Sequence, residues 1–236
     1  MTSGTSWVFI SGAGSGIGEA VARNLAARGM KLIVTDVDAD AARRVATALS
    51  SEYEEAIWFG LDVSKPEQIE DVFSNLHRND VCVQTAVNCA GVPGRKELLH
   101  SIDDSSWTDM QDVTLGGVFH CMRAEIRSML RNGVDGSIVN ISSVAGILGN
   151  PGSAGYTAAK HGVIGLTRAA AAEYGEKNIR INAVCPGVTS TNLMREVDAS
   201  DPGTIERAMS RTPLRRIAEP EEIAAAAAWL ASDEAS

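Results

Sequence analysis

The chain has 236 residues, a formal net charge of −9, 44% hydrophobic residues and 22% charged residues. This is the composition of a globular protein, and the acidity argues against nucleic acid or an anionic membrane as its main partner. Because the sequence shows no signal peptide, transmembrane run, C-x-x-C spacing or histidine ligand pattern, we predict a cytoplasmic protein with reduced thiols and without a metal site.

The beginning of the chain predicts a dinucleotide-binding unit. An apolar strand at residues 7–10 leads into the glycine-rich turn 11–18, and a helix and a second strand follow, the strand ending at Asp36. A helix N-terminus attracts a pyrophosphate, glycines let the backbone approach it, and a carboxylate at the strand end accepts hydrogen bonds from ribose hydroxyls. The predicted contacts in the turn are Gly12, Ser15, Gly16, Ile17 and Gly18.

The details of this unit favour NAD. Ile17 stands where the third glycine of G-x-G-x-x-G would fall, so the spacing that fits is Gly12-x-x-x-Gly16-x-Gly18. A Walker phosphate-binding loop is excluded, because no Gly-Lys-Ser/Thr follows the turn. Asp36 would repel the 2′-phosphate of NADP, and the turn contains no Arg or Lys that would attract it.

The rest of the chain alternates strands and helices, which predicts an α/β fold with a doubly wound parallel sheet between two helical layers. The predicted strands are 31–35, 56–61, 82–87, 136–142 and 179–184, and the main predicted helices are 39–50, one from Pro66, one through 107–129 with a bend at Gly116-Gly117, 154–175 and 220–230. The polar segment 188–219 is predicted to be a mobile substrate lid, and residues 1–236 to form one domain.

Three residues are candidates for catalysis. Tyr156 and Lys160 are four apart on a predicted helix and therefore share a face. A nearby lysine ammonium favours the phenolate and lowers the pKa of a tyrosine, which can then take the proton of an alcohol while hydride leaves for a cofactor. Ser143, at the carboxyl edge of the sheet, can fix the substrate oxygen. Considered alone, however, Tyr-x-x-x-Lys often arises by chance, and a serine at a strand end commonly caps a turn.

Taken together, the motifs resemble the classical short-chain dehydrogenase/reductase family over nearly the whole chain. They are the glycine turn, Asn88-Cys89-Ala90-Gly91, Ser143, Tyr156-x-x-x-Lys160 and Pro186-Gly187, in family order. The resemblance implies a Rossmann-like sheet and reversible hydride transfer between a nicotinamide and a carbonyl or alcohol. It also implies that Tyr156 is the acid/base, Ser143 orients the substrate, and Lys160 contacts the ribose. Its further implied cofactor contacts are Asp62 and Val63 at the adenine, Asn88, Ala90 and Gly91 behind the adenosine ribose, and Pro186, Gly187, Val188 and Thr191 at the carboxamide.

Two departures from the family pattern stand out. Thr114 occupies the position of an asparagine whose backbone carbonyl helps to hold a water on the proton path to the lysine, so we expect a weaker relay. The chain ends at Ser236, where family members continue into a last strand and a glycine-rich tail, and we therefore expect a sheet without that edge strand. We expect the small-residue helix 154–175 to pack against a second copy in a homodimer or homotetramer, although packing on its own sheet would also explain its composition.

The sequence leads to an NAD-dependent dehydrogenase of secondary alcohols or their ketones, with two alternatives. One is an NADPH-dependent 3-oxoacyl reductase, which Asp36 and Ser15 disfavour. The other is a catalytically silent dinucleotide-binding sensor or scaffold. The substrate pocket is predicted to be mostly apolar and to be lined by segments 92–100, 144–152 and 188–215, with cations such as Lys96 either meeting an anionic substrate or solvated.

Overall fold

The protein is built on six parallel strands that form one sheet in the order β3-β2-β1-β4-β5-β6. The computed structural model describes residues 7–93 and 96–236. The strands are β1 Trp7–Ser11, β2 Lys31–Asp36, β3 Ala56–Gly60, β4 Val83–Asn88, β5 Gly136–Ile141 and β6 Ile179–Val184. The strand order reverses between β1 and β4, and in open α/β sheets the crevice at this reversal, at the carboxyl ends of the strands, is where ligands bind.

Helices cover both faces of the sheet. They are α1 Gly16–Ala26, α2 Ala39–Glu52, α3 Pro66–Arg78, α4 Asp104–Gln111, α5 Gly117–Asn132, α6 Ala154–Tyr174, α7 Asn192–Ser200, α8 Thr204–Arg211 and α9 Pro220–Ala231. One apolar core lies between the sheet and α1, α2 and α9, and a second lies between the sheet and α3, α5 and α6. The predicted doubly wound, three-layer α/β fold is thereby confirmed.

The alternation of side chains along β1 explains the two cores. Val8 and Ile10 belong to the first core and Phe9 to the second, since successive residues of a strand point to opposite faces. Local signals fix the helix ends. The side chain of Asp38, for example, accepts hydrogen bonds from the backbone N–H groups of Asp40 and Ala41 at 3.0 and 3.1 Å and so caps α2.

Two segments differ from the sequence-based expectation. The long helix predicted through residues 107–129 is divided into α4 and α5 by a π-helical turn at Asp112–Gly116, immediately before the predicted bend. The polar segment 188–219, predicted to be a mobile lid, contains two helices, α7 and α8, that were not predicted from the sequence. In the part of the chain that the structure describes, β6 forms one edge of the sheet. Among the described residues, none of the helices has the length and apolar character needed to cross a membrane.

Candidate active site

The glycine turn has the geometry that only glycines allow. Gly12 and Gly16 have positive φ angles of 66° and 56°, in the left-handed region. A Cβ on Gly18 would lie 2.0 Å from the carbonyl oxygen of Gly12, and one on Gly12 would lie 2.7 Å from the backbone nitrogen of Ala90. These contacts hold α1 close to β1 and press the turn against the segment that follows β4.

Asp36 is fixed at the end of β2 by two backbone donors. The N–H of Gly14 donates to Oδ2 at 2.8 Å, and the N–H of Asp38 donates to Oδ1 at 3.0 Å. A Cβ on Gly14 would lie 2.8 Å from Oδ2, so the turn and the acid are in direct contact. Each carboxylate oxygen keeps a lone pair that can accept from a ribose hydroxyl.

Arg44 is a candidate site residue that the sequence analysis missed. Its Nη2 donates to the carbonyl oxygen of Gly14 at 2.9 Å and lies 3.8 Å from a carboxylate oxygen of Glu19. The glycine turn itself contains no Arg or Lys, whereas Arg44 belongs to α2 and reaches the turn because α2 packs beside it. The residue Gly14 therefore lies between an acid, Asp36, and a cation, Arg44.

The site fits a dinucleotide pyrophosphate. Ser15 is the N-cap of α1 but its side chain makes no capping hydrogen bond, so the first N–H groups of the helix are available to an anion. A cavity of about 330 Å³ opens beside the turn, and its lining includes Ser15, Gly16, Arg44, Thr191 and Arg195. Thr191 lies opposite the turn, since a Cβ on Gly16 would be 3.3 Å from its methyl group.

The other predicted cofactor residues lie along the same edge of the sheet. Asp62 follows β3, and its Oδ1 accepts from the backbone N–H and the hydroxyl of Ser64 at 2.9 and 2.7 Å. Val63 is buried against Gly117, whose added Cβ would lie 2.5 Å from it. The segment Pro186, Gly187 and Val188 is held from both ends, because the carbonyl of Pro186 accepts from Val144 at 2.8 Å and that of Val188 accepts from Ala218 at 2.9 Å.

The segment after β4 lies between the cofactor turn and the candidate catalytic residues. Asn88 is buried, and its side chain points into the core rather than into the site. Ala90 contacts Gly12, as described above. A Cβ on Gly91 would lie 3.6 Å from Nζ of Lys160 and 3.9 Å from Oγ1 of Thr114, so Gly91 separates these two side chains.

The structure brings Ser143, Tyr156 and Lys160 together. Nζ of the buried Lys160 donates to the carbonyl of Ile141 at 2.8 Å and lies 5.7 Å from the centre of the Tyr156 ring. Ser143 follows β5, and its Oγ accepts from the N–H of Ala145 at 3.1 Å. The serine therefore does cap a turn, and its hydroxyl lies near enough to the phenol of Tyr156 to affect the pKa of that group.

The electrostatics of this cluster correct one expectation. Burial raises the pKa of Tyr156, and the nearby hydroxyl of Ser143 opposes that rise only in part. Burial also lowers the pKa of Lys160 to about 8, against smaller opposite effects of Cys89 and Cys185. The lowered tyrosine pKa predicted from the sequence is therefore not found in the protein alone, because the effect of burial is the larger one.

Thr114 lies in the π-helical turn and is completely buried. Its Oγ1 donates to Sδ of Met110 at 3.4 Å and accepts from the N–H of Val92 at 3.4 Å. The threonine side chain thus links the helix to the strand-end segment next to Gly91. Residues 94 and 95 of the predicted pocket segment 92–100 lie outside the described residues. Within the described part of the chain, His, Cys, Asp and Glu form no group of three or more that could hold a metal ion.

Comparisons with known proteins identify relatives over nearly the whole chain. A family model described as enoyl-(acyl carrier protein) reductase matches residues 12–236. The chain is 39% identical over 227 residues to cis-4-hydroxycyclohexanecarboxylate dehydrogenase of Sinomonas cyclohexanicum, covering 96% of this chain and 89% of that protein. It is 36% identical over 228 residues to the 3-oxoacyl-(acyl-carrier-protein) reductase FabG of Salmonella typhimurium, covering 97% and 90% of the two chains. The solved structure of ElxO with NADP bound superimposes with a TM-score of 0.89 at 29% identity, covering 98% of this chain and 93% of that one.

Fold, site and relatives define an α/β oxidoreductase that binds a nicotinamide dinucleotide. The chain belongs to the short-chain dehydrogenase/reductase family.

Proposed function

We propose that the protein is an NAD-dependent dehydrogenase that interconverts a secondary alcohol and its ketone, with Tyr156 as the acid/base. The observation that carries the proposal is the cluster of Ser143, Tyr156 and Lys160 beside Gly91, at the carboxyl edge of the sheet where the glycine turn also lies. A silent sensor or scaffold would not need these three side chains to meet.

Each member of the cluster has a distinct task in the proposed reaction. The hydroxyl of Ser143 holds the substrate oxygen, and that of Tyr156 takes its proton during oxidation and returns one during reduction. The dinucleotide accepts or supplies the hydride and, when oxidised, adds a positive charge. Lys160, with a pKa of about 8, is poised to exchange protons near neutral pH. We expect Thr114 to leave the proton path past Gly91 weaker than an asparagine would.

Replacing Tyr156 by phenylalanine tests the proposal. In a screen of secondary alcohols and ketones followed by NADH absorbance, Tyr156→Phe should lower turnover about 10²–10⁴-fold, because the proton carrier is lost. NADH affinity should change less than about threefold, since the ring is kept. Tyr53→Phe, at an exposed position, is the matched control and should leave both unchanged. Dinucleotide binding without Tyr156-dependent turnover on any substrate would favour the sensor or scaffold instead.

The preference for NAD is part of this proposal and depends on two opposed residues. Asp36 is held against Gly14 by a 2.8 Å hydrogen bond and would repel a 2′-phosphate, whereas Arg44, 2.9 Å from the carbonyl of Gly14, would attract one. We propose that Asp36 prevails, because its carboxylate is fixed by two donors while the side chain of Arg44 is 62% exposed and solvated.

Affinities for the two dinucleotides test the cofactor proposal. Asp36→Ala should tighten NADP binding at least about tenfold and weaken NAD binding, and adding Arg44→Ala should remove most of the gain, because the cation is then lost. Arg43→Ala is the matched control, since Arg43 pairs with Asp40 at 2.9 Å and does not contact the turn. Wild-type protein that bound NAD and NADP with equal affinity would contradict the NAD preference.

The proposed substrate is a small, largely apolar secondary alcohol or ketone. Ile147 and Leu148, on the loop after Ser143, are 55% and 60% exposed, which offers apolar surface next to the cluster. The Sinomonas relative is named for a secondary alcohol on a cyclohexane ring; the ring agrees with this surface, whereas the carboxylate in the same name does not. The Salmonella relative supports the alternative of a 3-oxoacyl reductase, and Asp36 disfavours the NADPH that such an activity was predicted to use.

We further propose that segment 188–219, with α7 and α8, is the lid of the site within a single domain. Lys96 does not favour an anionic substrate, because its Nζ pairs with Asp201 of this segment.

We propose a homodimer or homotetramer in the cytoplasm with α6 at the interface. Gly165 supports this, since nothing lies within 4 Å of an added Cβ, whereas the added Cβ of Gly162 would be 2.8 Å from Leu115 of the same chain. The four cysteines are free, in accord with a reducing compartment. Sedimentation of wild type and Gly165→Trp tests the interface, and identical sizes would contradict it.

A further inference from the structure

Glu125 of α5 is a fully buried acid that the proposed mechanism does not use. Its relative exposure is 0%, and among the described residues it takes part in no ion pair. Its Oε2 accepts a hydrogen bond from Nδ2 of Asn88 at 3.2 Å, and its Oε1 has no partner in the described part of the chain. A carboxylate charge in such a place would be strongly unfavourable, whereas an uncharged acid with one unpaired group costs far less.

A short chain of hydrogen bonds connects Glu125 to the glycine turn. Nδ2 of Asn88 donates to Glu125 and also to Oδ1 of Asn140, at 3.0 Å. Oδ1 of Asn88 accepts from the hydroxyl of Ser11 at 3.4 Å, and that hydroxyl accepts from the N–H of Ala90 at 3.4 Å. The amide of Asn88 is therefore held in one orientation, and that orientation ties β1 to the segment 88–91.

The groups packed around Glu125 offer it no opposite charge. On its own helix the titratable neighbour is the thiol of Cys121, whose pKa is raised by burial and further by Glu125. The cations Arg123 and Arg127 lie on the other side of α5 and approach Glu70 of α3 at 3.8 and 3.0 Å.

The sheet and α6 contribute neutral groups, apart from the amine of Lys160, which is directed to a backbone carbonyl. Asn140 of β5 donates to Thr167 of α6 at 2.9 Å, and Thr167 donates to the carbonyl of Val163 at 2.7 Å. Lys160 of α6 directs its Nζ to the carbonyl of Ile141 at 2.8 Å. The residues of α3 that belong to the shared core, Ile69, Val72 and Leu76, are apolar.

We propose that Glu125 is a positioning residue that holds the cofactor-binding segment 88–91 through Asn88, and that it does so as an uncharged carboxylic acid. The role in cofactor binding rests on the function proposed above, while the role in holding the segment does not. Asn88 is the link, because its side chain contacts Glu125 on one side and Ser11 on the other.

The consequence is that the cofactor-binding segment 88–91 becomes less rigidly held at alkaline pH. Burial raises the pKa of Glu125 to about 8, with the hydrogen bond from Asn88 acting in the opposite direction. Above that pH the acid is ionised, and the buried carboxylate needs a water molecule or a cation to stabilise its charge. To admit one of them, α5 must separate from β4 and the amide of Asn88 must rotate. The binding-competent fraction should fall about tenfold between pH 7 and pH 9, and NADH affinity with it.

NADH titration by fluorescence at pH 7 and pH 9 tests the proposal. Glu125→Gln keeps the acceptor and the shape without the ionisation, Glu125→Leu removes the acceptor, and Glu173→Gln removes an exposed acid of α6 as the matched control. Lys160 titrates in the same range in every variant and is therefore a common background. We expect the alkaline loss of wild type and Glu173→Gln to exceed that of Glu125→Gln about tenfold, and Glu125→Leu to bind more weakly already at pH 7.

Two results would overturn the proposal. One is an alkaline loss in Glu125→Gln equal to that of wild type, and the other is wild-type affinity of Glu125→Leu at pH 7. If Glu125→Leu does not fold, the Glu125→Gln comparison decides.

Amide hydrogen exchange on the unliganded chain separates this proposal from the proposed function. After correction for the intrinsic rate, exchange in residues 88–91 should rise between pH 7 and pH 9 in wild type and stay level in Glu125→Gln. Wild type that failed to bind NADH but showed this difference would refute dinucleotide binding and keep the positioning role. Equal exchange profiles in the two proteins would refute the positioning role.

Discussion

The two sides of the active-site edge are held together by different forces. On the cofactor side, the turn 11–18 is fixed by close backbone contacts that leave no space for a Cβ atom, such as the contact between Gly18 and Gly12. On the substrate side, an exposed ion pair between Lys96 and Asp201 joins two loops, and Asp201 also accepts from Arg207 of its own segment. The N–H of Glu97 adds a 2.9 Å hydrogen bond to the carbonyl of Gly152, which links the loop after β4 to that after β5.

This difference indicates which positions of the site tolerate substitution and which do not. Steric contacts of a packed backbone do not weaken with salt and allow few substitutions. Exposed ion pairs contribute little, are screened by salt, and are readily replaced. We therefore expect a rigid cofactor side and a substrate side whose geometry responds to its surroundings.

The largest effect should come from a methyl group on the cofactor side. Gly18→Ala places a Cβ 2.0 Å from the carbonyl oxygen of Gly12 and should cost about 3 kcal/mol, or about 10 °C in Tm by calorimetry. Gly175→Ala is the control, because nothing lies within 4 Å of its added Cβ. Equal Tm values for the two variants would show that the turn is less tightly packed than described.

A smaller effect is expected from pH, through Glu125 beneath the cofactor side. Burial raises its pKa from 4.5 to about 8, so the folded state binds more protons than the unfolded state between these values. Its contribution to stability is therefore complete below pH 4.5 and is lost as pH rises towards 8. In thermal unfolding at pH 5.5 and 7.5, Glu125→Gln should show a pH-dependent fall in Tm smaller than that of wild type by on the order of 5 °C.

Two other groups titrate in or near this range, but they do so alike in wild type and in Glu125→Gln and therefore leave that difference intact. Lys160 has a pKa lowered to about 8, so it favours the folded state as pH rises from 8 towards 10.5. The pKa of His120 is lowered by burial, so its effect lies below its ordinary value of 6.5. A Glu125→Gln profile parallel to that of wild type would contradict an uncharged Glu125.

The smallest effect should come from the substrate side. Lys96→Met keeps the side-chain stem against Gly152 but removes the partner of Asp201, and should lower Tm by less than about 2 °C. If the ion pair causes this difference in Tm, the difference should vanish in 0.5 M NaCl. At that salt concentration the Debye length is roughly a few ångströms, so exposed charges are screened. A larger fall in Tm that persisted in high salt would mean that packing contacts, rather than exposed ion pairs, hold the substrate side as they hold the cofactor side.

The parts of the molecule that the sequence predicted are those set by local patterns. Apolar runs predicted the strands of the sheet, and apolar residues at helical spacing predicted the helices of its two layers. Asp36 lies at the end of β2 beside the glycine turn, as predicted. Arg44 was not foreseeable, since only the packing of α2 brings it to Gly14. The raised pKa of Tyr156 also escaped prediction, because it depends on how deeply the ring is buried and on the orientation of Ser143.

Two helices on the substrate side were not predicted, for a related reason. The segment 188–219 has the polar residues and prolines of a loop, yet α7 and α8 form within it. The side chain of Thr191 begins α7 by accepting from Met194 at 3.2 Å, and Asp198 accepts from the first turn of α8 at 3.0 Å. Such short helices depend on these single caps more than on apolar periodicity, which was the signal used.

The π-helical turn at residues 112–116 changes the direction in which the side chains of α5 point relative to those of α4. A π-turn carries one residue more than the α-helical turn it replaces, so the residues before and after it are rotated about 100° from their regular relation. Thr114 reaches the neighbourhood of Gly91 and α5 turns Glu125 into the core only with that extra residue present. Deleting a single residue from the turn would straighten the helix and uncouple the catalytic edge from the buried acid beneath it, although every strand could remain in place.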